Sequence, residues 1–250
     1  MLRHDQFASS YSPLTQITRD NAQDLQLQWI WPMNEGGTNQ PSPLAYNGTI
    51  FLNNTGGIVQ ALDAVTGDLI WEYRREFPQV GQAPMGEPQR NLAIWEDKVY
   101  LNTADAHIVA LNARSGEVVW DTTVADHSKG YEYTSGPIIV RGRVVAGMTG
   151  CTRYKEDVCF ITAHDARTGK EVWRTSTVAR PGEPGGDTWG TIPDLFRAGA
   201  ETWITGSFDP ERNETYWGVA QAKPWMRVSR GAKPGDRGLF TNSTLALNPD

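Results

Sequence analysis

Short apolar runs alternate with polar turns along this chain, and three of these units are near copies of one another. "ALDAVTGDLIW" begins at Ala61, "ALNARSGEVVW" at Ala110 and "AHDARTGKEVW" at Ala163, while "ALNPD" opens a fourth at Ala246. The three follow A-[LH]-[DN]-A-x-[TS]-G-x-x-x-W. Alternating apolar stretches run into the turn ("GGIVQAL", "AHIVAL", "VCFITAH"), and further apolar stretches leave it ("DLIW", "EVVW", "KEVW"). That is the pattern of strand, tight turn, strand. The Asp or Asn opens the turn by accepting backbone N–H groups, and the Gly supplies the positive φ that closes it. A tryptophan then falls at a fixed place on the second strand.

The copies start 49, 53 and 83 residues apart (61 to 110, 110 to 163, 163 to 246). The first two intervals are close to the length of one four-stranded propeller blade. "GTIFLNN", "KVYLNTA" and "RVVAGMT" supply further short strands between them. The prediction is an all-β chain, a β-propeller of about four blades with 1–250 forming part of one propeller domain. In it the Trp of each blade packs against the next, where a broad indole buries much area. A β-sandwich with accidental turn similarity is the alternative. The third interval is too long by roughly 30 residues for one blade. The excess is placed in an excursion at about 174–202, around the Pro-, Gly- and Trp-dense stretch 180–203. Long excursions in compact folds are often functional. The fourth copy lacks the Gly and Trp, and about four blades leave two open sheet edges. The chain is therefore expected to be the N-terminal portion of a longer protein.

Composition narrows the function classes. A net charge of −6 over 250 residues and a pI near 5.3 argue against nucleic acid as a partner, which needs a basic face. No apolar run approaches the length of a membrane span. The start, "MLRHDQFASSYSPL", lacks the charged and apolar regions of a signal peptide, so either the protein is cytosolic or its leader is missing from this chain. Ten Trp and 25 Gly suit a repetitive β-architecture. Cys151 and Cys159 are the only thiols and flank a loop between two strands. The ends of such a loop come within disulfide reach, and a disulfide, favoured here over two buried free thiols, implies an oxidising compartment. His4, His107, His127 and His164 lack the paired spacing of metal ligands. His164 takes the Leu position of the repeat, which points to packing inside a blade. No GxSxG, Walker loop or Cys/His nucleophile arrangement is present.

With these repeats, the opening "YSPLTQITRDNAQDLQLQW" and the later "KPW", the chain resembles the quinoprotein alcohol dehydrogenases over essentially its whole length. These are the pyrroloquinoline quinone (PQQ) enzymes that include methanol and ethanol dehydrogenases. The resemblance implies an eight-bladed propeller with PQQ on its axis beside a calcium or lanthanide ion. It further implies periplasmic oxidation of an alcohol, with electrons passed to a cytochrome c or another acceptor. Carried over position by position, "PQRNLAIW" puts Arg90 at the quinone, where an always-charged guanidinium suits carboxylates and quinone oxygens. "YTSGPIIVRG" resembles the stretch whose Thr hydrogen-bonds PQQ, here Thr134. "TGCT" places Thr149, Gly150 and Cys151 as cofactor contacts. "AETWITGSFDP" resembles the segment whose Trp forms the floor under the quinone, here Trp203, with Trp189 as its competitor. Gln40 stands where the family has an acidic PQQ contact.

The chain departs from the family on the metal side. Thr152 stands at the position of a metal-binding Glu, and Gln221 at that of a metal-binding Asn; Glu156 is a possible substitute for the lost carboxylate. A neutral hydroxyl is a poor ligand for a hard dication. The adjacent-Cys ring that should precede Arg90 is replaced by "APMGEP". These differences put the metal in doubt more than the quinone, and hint at a substrate other than methanol. The family's catalytic Asp lies outside these residues, so 1–250 alone is expected not to oxidise alcohols. The rival reading is a non-enzymatic propeller that uses the same repeats as a binding scaffold.

Overall fold

The structure, a computed structural model, describes residues 12–33, 38–77, 90–151 and 158–250. Blade 1 is β1 (Leu44–Tyr46), β2 (Thr49–Asn54), β3 (Ile58–Asp63) and β4 (Leu69–Arg74). Blade 2 is β5 (Ala93–Trp95), β6 (Lys98–Asn102), β7 (His107–Asn112) and β8 (Val118–Thr123). Blade 3 is β9 (Ile138–Val140), β10 (Arg143–Gly147), β11 (Phe160–Asp165) and β12 (Glu171–Ser176). Each is an antiparallel meander with its strands in chain order. Beyond them, β13 (Ala198–Gly199) pairs with β16 (Ala222–Lys223), while β14 (Ser207–Asp209), β15 (Glu214–Val219) and β17 (Ser243–Leu247) form a three-stranded fourth sheet. The all-β, multi-bladed prediction holds. The apolar runs on either side of each repeat are the third and fourth strands of a blade.

The turns close as their residue types dictate. Asp63 Oδ1 accepts the N–H of Val65 and Thr66, Asn112 those of Arg114 and Ser115, and Asp165 those of Arg167 and Thr168. The N–H groups of Thr66 and Val65 hold the Asp63 carboxyl below its usual range. Asp209 builds the same turn between β14 and β15, accepting from Glu211 and Arg212, without the rest of the motif. Gly67, Gly116 and Gly169 donate back to the carbonyls of Asp63, Asn112 and Asp165 with φ of +77°, +75° and +74°.

These glycines have a second reason to lack a side chain. A Cβ on Gly67, Gly116 or Gly169 would lie 2.6 Å from the indole of Trp29, Trp71 or Trp120 respectively. Each indole covers the turn of the next blade, and its Nε1–H donates to a carbonyl there: Trp29 to Ala64 (3.3 Å), Trp71 to Ala113 (3.0 Å), Trp120 to Ala166 (3.0 Å) and Trp173 to Pro249 (2.9 Å). A register shift before each tryptophan, between Ala61/Leu62, Ala110/Leu111 and Ala163/His164, leaves Ile70, Val119 and Val172 as the extra residue. A bulge of this kind re-aims the side chains beyond it. Phe51 and Tyr100 tilt beneath Trp71 and Trp120 at 5.8 and 5.9 Å, and Tyr100 Oη shares the Ala166 carbonyl. Trp29 belongs to this series although no repeat precedes it in the sequence.

The excursion differs from its predicted bounds. Ser176 ends β12, so the first three residues of 174–202 are blade strand. The surplus is divided between two insertions, 177–206 before β14 and 220–242 between β15 and β17. They fold on each other. Trp189, 1% exposed, packs with Val178, Ile192, Ala200 and Ala222, and its Nε1–H donates to the Leu239 carbonyl. Gly238 and Leu239 in turn donate to the backbone and hydroxyl oxygens of Thr188. Cys151 and Cys159 form the expected disulfide, their Cα atoms 5.5 Å apart.

Two outcomes follow from this packing. Trp120→Ala removes an interblade indole and its hydrogen bond and is expected to cost about 3 kcal/mol in denaturant unfolding; a loss under about 1 kcal/mol would show that the indole does not hold the blades. The second concerns His164, fully buried, whose Nδ1 pairs with the Gly169 carbonyl while Nε2 has no partner among the described residues. Burial holds its pKa below the ordinary value. The unfolded chain takes up a proton that the folded one refuses, so this contribution is present above about pH 6.5 and is lost as pH falls from there through the lowered folded pKa. His164→Leu, the residue of the other repeats, should narrow the gap in Tm between pH 7.5 and pH 5. An unchanged gap would count against it.

Candidate functional site

Strand direction sorts the candidate residues. In each blade the first two strands are antiparallel, so the approach to the first and the exit from the second lie at the same end, opposite the Asp/Asn turns. Gln40, Arg90, Thr134 and Trp203 precede β1, β5, β9 and β14 by three or four residues. Thr149 and Gly150 follow β10, and Gln221 follows β15. Every described candidate therefore sits at one end of the blades.

Three of them meet. Arg90 Nη1 donates to the carbonyls of Thr134 (3.1 Å) and Trp203 (3.3 Å), and its guanidinium lies 5.3 Å from the centre of the Trp203 ring. The Arg90 backbone N–H also donates to Thr134 O. A cation held against an indole face in this way is an attractive pair. Thr134 is 7% exposed, and its Oγ1 has no hydrogen-bond partner among the described residues. A buried hydroxyl without a partner carries an energetic cost, and such groups call for an explanation. Beside it Tyr133 is fully buried, and burial pushes its phenol up, keeping it neutral.

Close packing locks the three segments. Gly136 N–H donates to Thr205 Oγ1, and a Cβ there would strike the carbonyls of Arg90 and Asn91 at 2.4 Å. A Cβ on Gly147 would collide with Thr202, whose N–H and hydroxyl both donate to the Met148 carbonyl. Asn91, Thr202 and Thr205 were not among the sequence candidates. Only the glycines opposite them, Gly136 and Gly147, marked the close approach.

The other candidates are less direct. Gln40 is exposed, two residues before Ser42, whose N–H donates to Asn91 Oδ1. The Thr149 hydroxyl is spent on the Glu132 carbonyl at 2.8 Å, and Cys151 is a buried half-cystine that presents no thiol. Gly150 has φ +78°, and a Cβ there would meet Gly130 O. The Gln221 side chain is exposed, and its carbonyl accepts the Ala200 N–H. Thr152 and Glu156 lie outside the described residues, as do 83–88 and His4. Of the two tryptophans weighed against each other, Trp189 is core while Trp203 is 45% exposed beside Arg90.

The remaining histidines are held in place. His107 is bonded to Asp121 Oδ1 (2.6 Å) and Thr123 Oγ1 (3.2 Å), and His127 Nδ1 to the Tyr131 carbonyl. Nearby, Arg75 ties blade 1 to blade 2 through buried Asp105 and through Asp121. Among the described residues no group of three or more His, Cys, Asp or Glu is placed to hold a metal ion.

Comparison with known proteins bears on this arrangement. The chain is 33% identical to the quinohemoprotein alcohol dehydrogenase ADH-IIG of Pseudomonas putida, over 96% of the chain and 35% of that protein. It is 30% identical to the 1-butanol dehydrogenase (cytochrome c) of Thauera butanivorans, over 99% of the chain and 37% of that protein. The solved structure of ADHIIG from Pseudomonas putida HK5 superposes with a TM-score of 0.84 at 32% identity, covering 97% of this chain and 37% of that one. The chain thus spans little more than a third of the length of these relatives. The model of the PQQ glucose/ethanol/alcohol dehydrogenase β-propeller domain matches residues 1–250, and the chain belongs to that family.

Proposed function

We propose that this chain supplies part of the quinone pocket of a PQQ-dependent dehydrogenase that oxidises an alcohol. One observation carries the reading: Arg90, Thr134 and Trp203, from three different blade starts, come together as a cation, a buried unpaired hydroxyl and a half-exposed indole. A flat, polyanionic quinone fits that donor set. The indole offers a face for stacking, the guanidinium pairs with carboxylate or quinone oxygens, and the Thr134 hydroxyl gains the partner it lacks. Gln40, Thr149, Gly150 and Cys151 line the approach in the same reading.

When bound, PQQ supplies the two-electron acceptor for the carbinol carbon. The residues here bind and orient. Arg90 stays charged at any working pH and draws electron density toward the oxygens it touches. Its two carbonyl contacts fix the guanidinium before any ligand arrives, which reduces the entropy lost on binding. The alcohol's hydroxyl proton needs a base, and we assign that role to an Asp outside these residues; by this reading 1–250 alone does not turn over. Of the metal-side positions only Gln221 is described; its carboxamide oxygen is the kind of ligand a hard dication accepts, on a longer stem than Asn, but it brings no charge to neutralise the ion. No step here runs through a metal.

The disulfide accords with an oxidising compartment, and we place the protein in the periplasm with a cytochrome c or comparable one-electron carrier as its acceptor. Among the described residues no helix is long and apolar enough to cross a membrane.

The test is quinone binding by the gene product that carries this chain, followed by absorbance. Arg90→Ala removes charge-assisted hydrogen bonds and should weaken PQQ binding about 10- to 100-fold. Wild-type affinity in this variant, or no uptake by the unmodified protein, would refute the assignment.

A further inference from the structure

Buried hydrogen bonds from several directions hold the segment that carries Thr134. Asn102, the last residue of β6, is 4% exposed, and its Nδ2 donates to the Ser135 carbonyl at 2.9 Å. Ser135 is 2% exposed, and its hydroxyl donates at 3.0 Å to the carbonyl of Gly147, the last residue of β10. Gly136 N–H donates to Thr205 Oγ1, and Thr134 O accepts both the Arg90 N–H and Arg90 Nη1. Residues 134–136 are thus tied to blades 2 and 3 and to the approach to the fourth sheet.

Strand register shows that the tie from Asn102 does not belong to the repeat. Asn53, Asn102 and Gly147 hold one position in blades 1, 2 and 3, each opposite the residue two before the opening Ala of the repeat: Val59, Ile108 and Ile161. In blade 3 the next approach packs directly on the strand, and a Cβ on Gly147 would strike Thr202. In blade 2 a carboxamide fills that place and crosses the junction to Ser135. The tie matters because of its neighbour. Thr134 Oγ1 is buried and has no hydrogen-bond partner among the described residues. Such a hydroxyl gains free energy if the backbone shifts enough to offer it an acceptor. Here the peptide planes on both sides of Ser135 are pinned, Thr134 O by Arg90 and Ser135 O by Asn102.

We propose that Asn102 is a positioning residue for the quinone pocket. By pinning the Ser135 carbonyl it keeps the Thr134 hydroxyl unspent until a quinone oxygen takes it up. This rests on reading Arg90, Thr134 and Trp203 as the quinone pocket. Asn102 acts through Thr134 rather than on the quinone, and it reduces the ordering that binding would otherwise require.

The experiment is a double-mutant cycle between Asn102 and Thr134 in the gene product carrying this chain, with PQQ affinity followed by absorbance. Asn102→Leu, which keeps most of the volume and loses the donor, should weaken PQQ binding about three- to tenfold. With Thr134→Val in place the same change should alter affinity by less than about twofold, because no hydroxyl is left to position. Asn102→Ala is the second variant and should show the same pattern. An amide that only supports the fold would lower Tm and weaken PQQ binding equally in both backgrounds. That result, or unchanged affinity in the folded single variants, would overturn the proposal. Failure of both variants to fold would overturn it too, since the amide would then serve the fold alone. If Arg90→Ala weakens PQQ binding and the Asn102 variants do not, this proposal alone falls. No uptake by the unmodified protein removes it together with the quinone reading.

Discussion

The architecture depends on an indole from one blade lying over a glycine turn of the next. Trp29, Trp71 and Trp120 each cover such a turn and donate one hydrogen bond to it, and Trp173 donates to the matching carbonyl of Pro249. The glycine is doubly constrained, by its positive φ and by a ring 2.6 Å from where a Cβ would sit. The bulge before each tryptophan orients the indole, and the Asp or Asn of the turn satisfies the backbone that the indole covers. Each contact joins only neighbouring blades, so the assembly is close to a one-dimensional array in which every junction contributes on its own.

This docking lies at the turn end of the blades, which leaves the opposite end free to vary. There the connections differ in length and composition while the strands beneath them stay in register. Arg75, buried between Asp105 and Asp121, braces that end of the first two blades. Burial disfavours the Arg75 charge, but the hydrogen bonds it donates to both carboxylates outweigh it and raise its pKa. With the frame held from below and braced in this way, Arg90, Thr134 and Trp203 can meet although each sits on a different approach to a blade.

The insertions around the fourth sheet are part of that frame. Two stretches that look like separate loops share one apolar cluster built on Trp189, with Arg197 over its ring and bonded to the Ala179 carbonyl. Their mutual packing sets where Trp203 emerges. The large loops beside the candidate site therefore behave as structure.

Read alone, the sequence determined the bladed architecture, the turn chemistry and the docking tryptophans of the three repeats, and it favoured the disulfide; Trp29, which no repeat precedes, emerged only from the fold. Those features are local: an Asp or Asn, a Gly four residues on and a Trp four after that specify a hairpin, and two cysteines at the ends of one short loop are already neighbours. The sequence also pointed to Arg90, Thr134 and Trp203 through family resemblance, without saying that they touch. Tertiary structure decided that. Arg90 and Trp203 are 113 residues apart, and the residues that lock their segments, Asn91, Thr202 and Thr205, carry no periodic signal. The fold also separates the surroundings of Trp189 from those of Trp203. Both lie in Gly- and Pro-rich stretches of similar polarity, and only the fold shows that one indole is enclosed by distant residues near Leu239 while the other faces solvent beside a guanidinium.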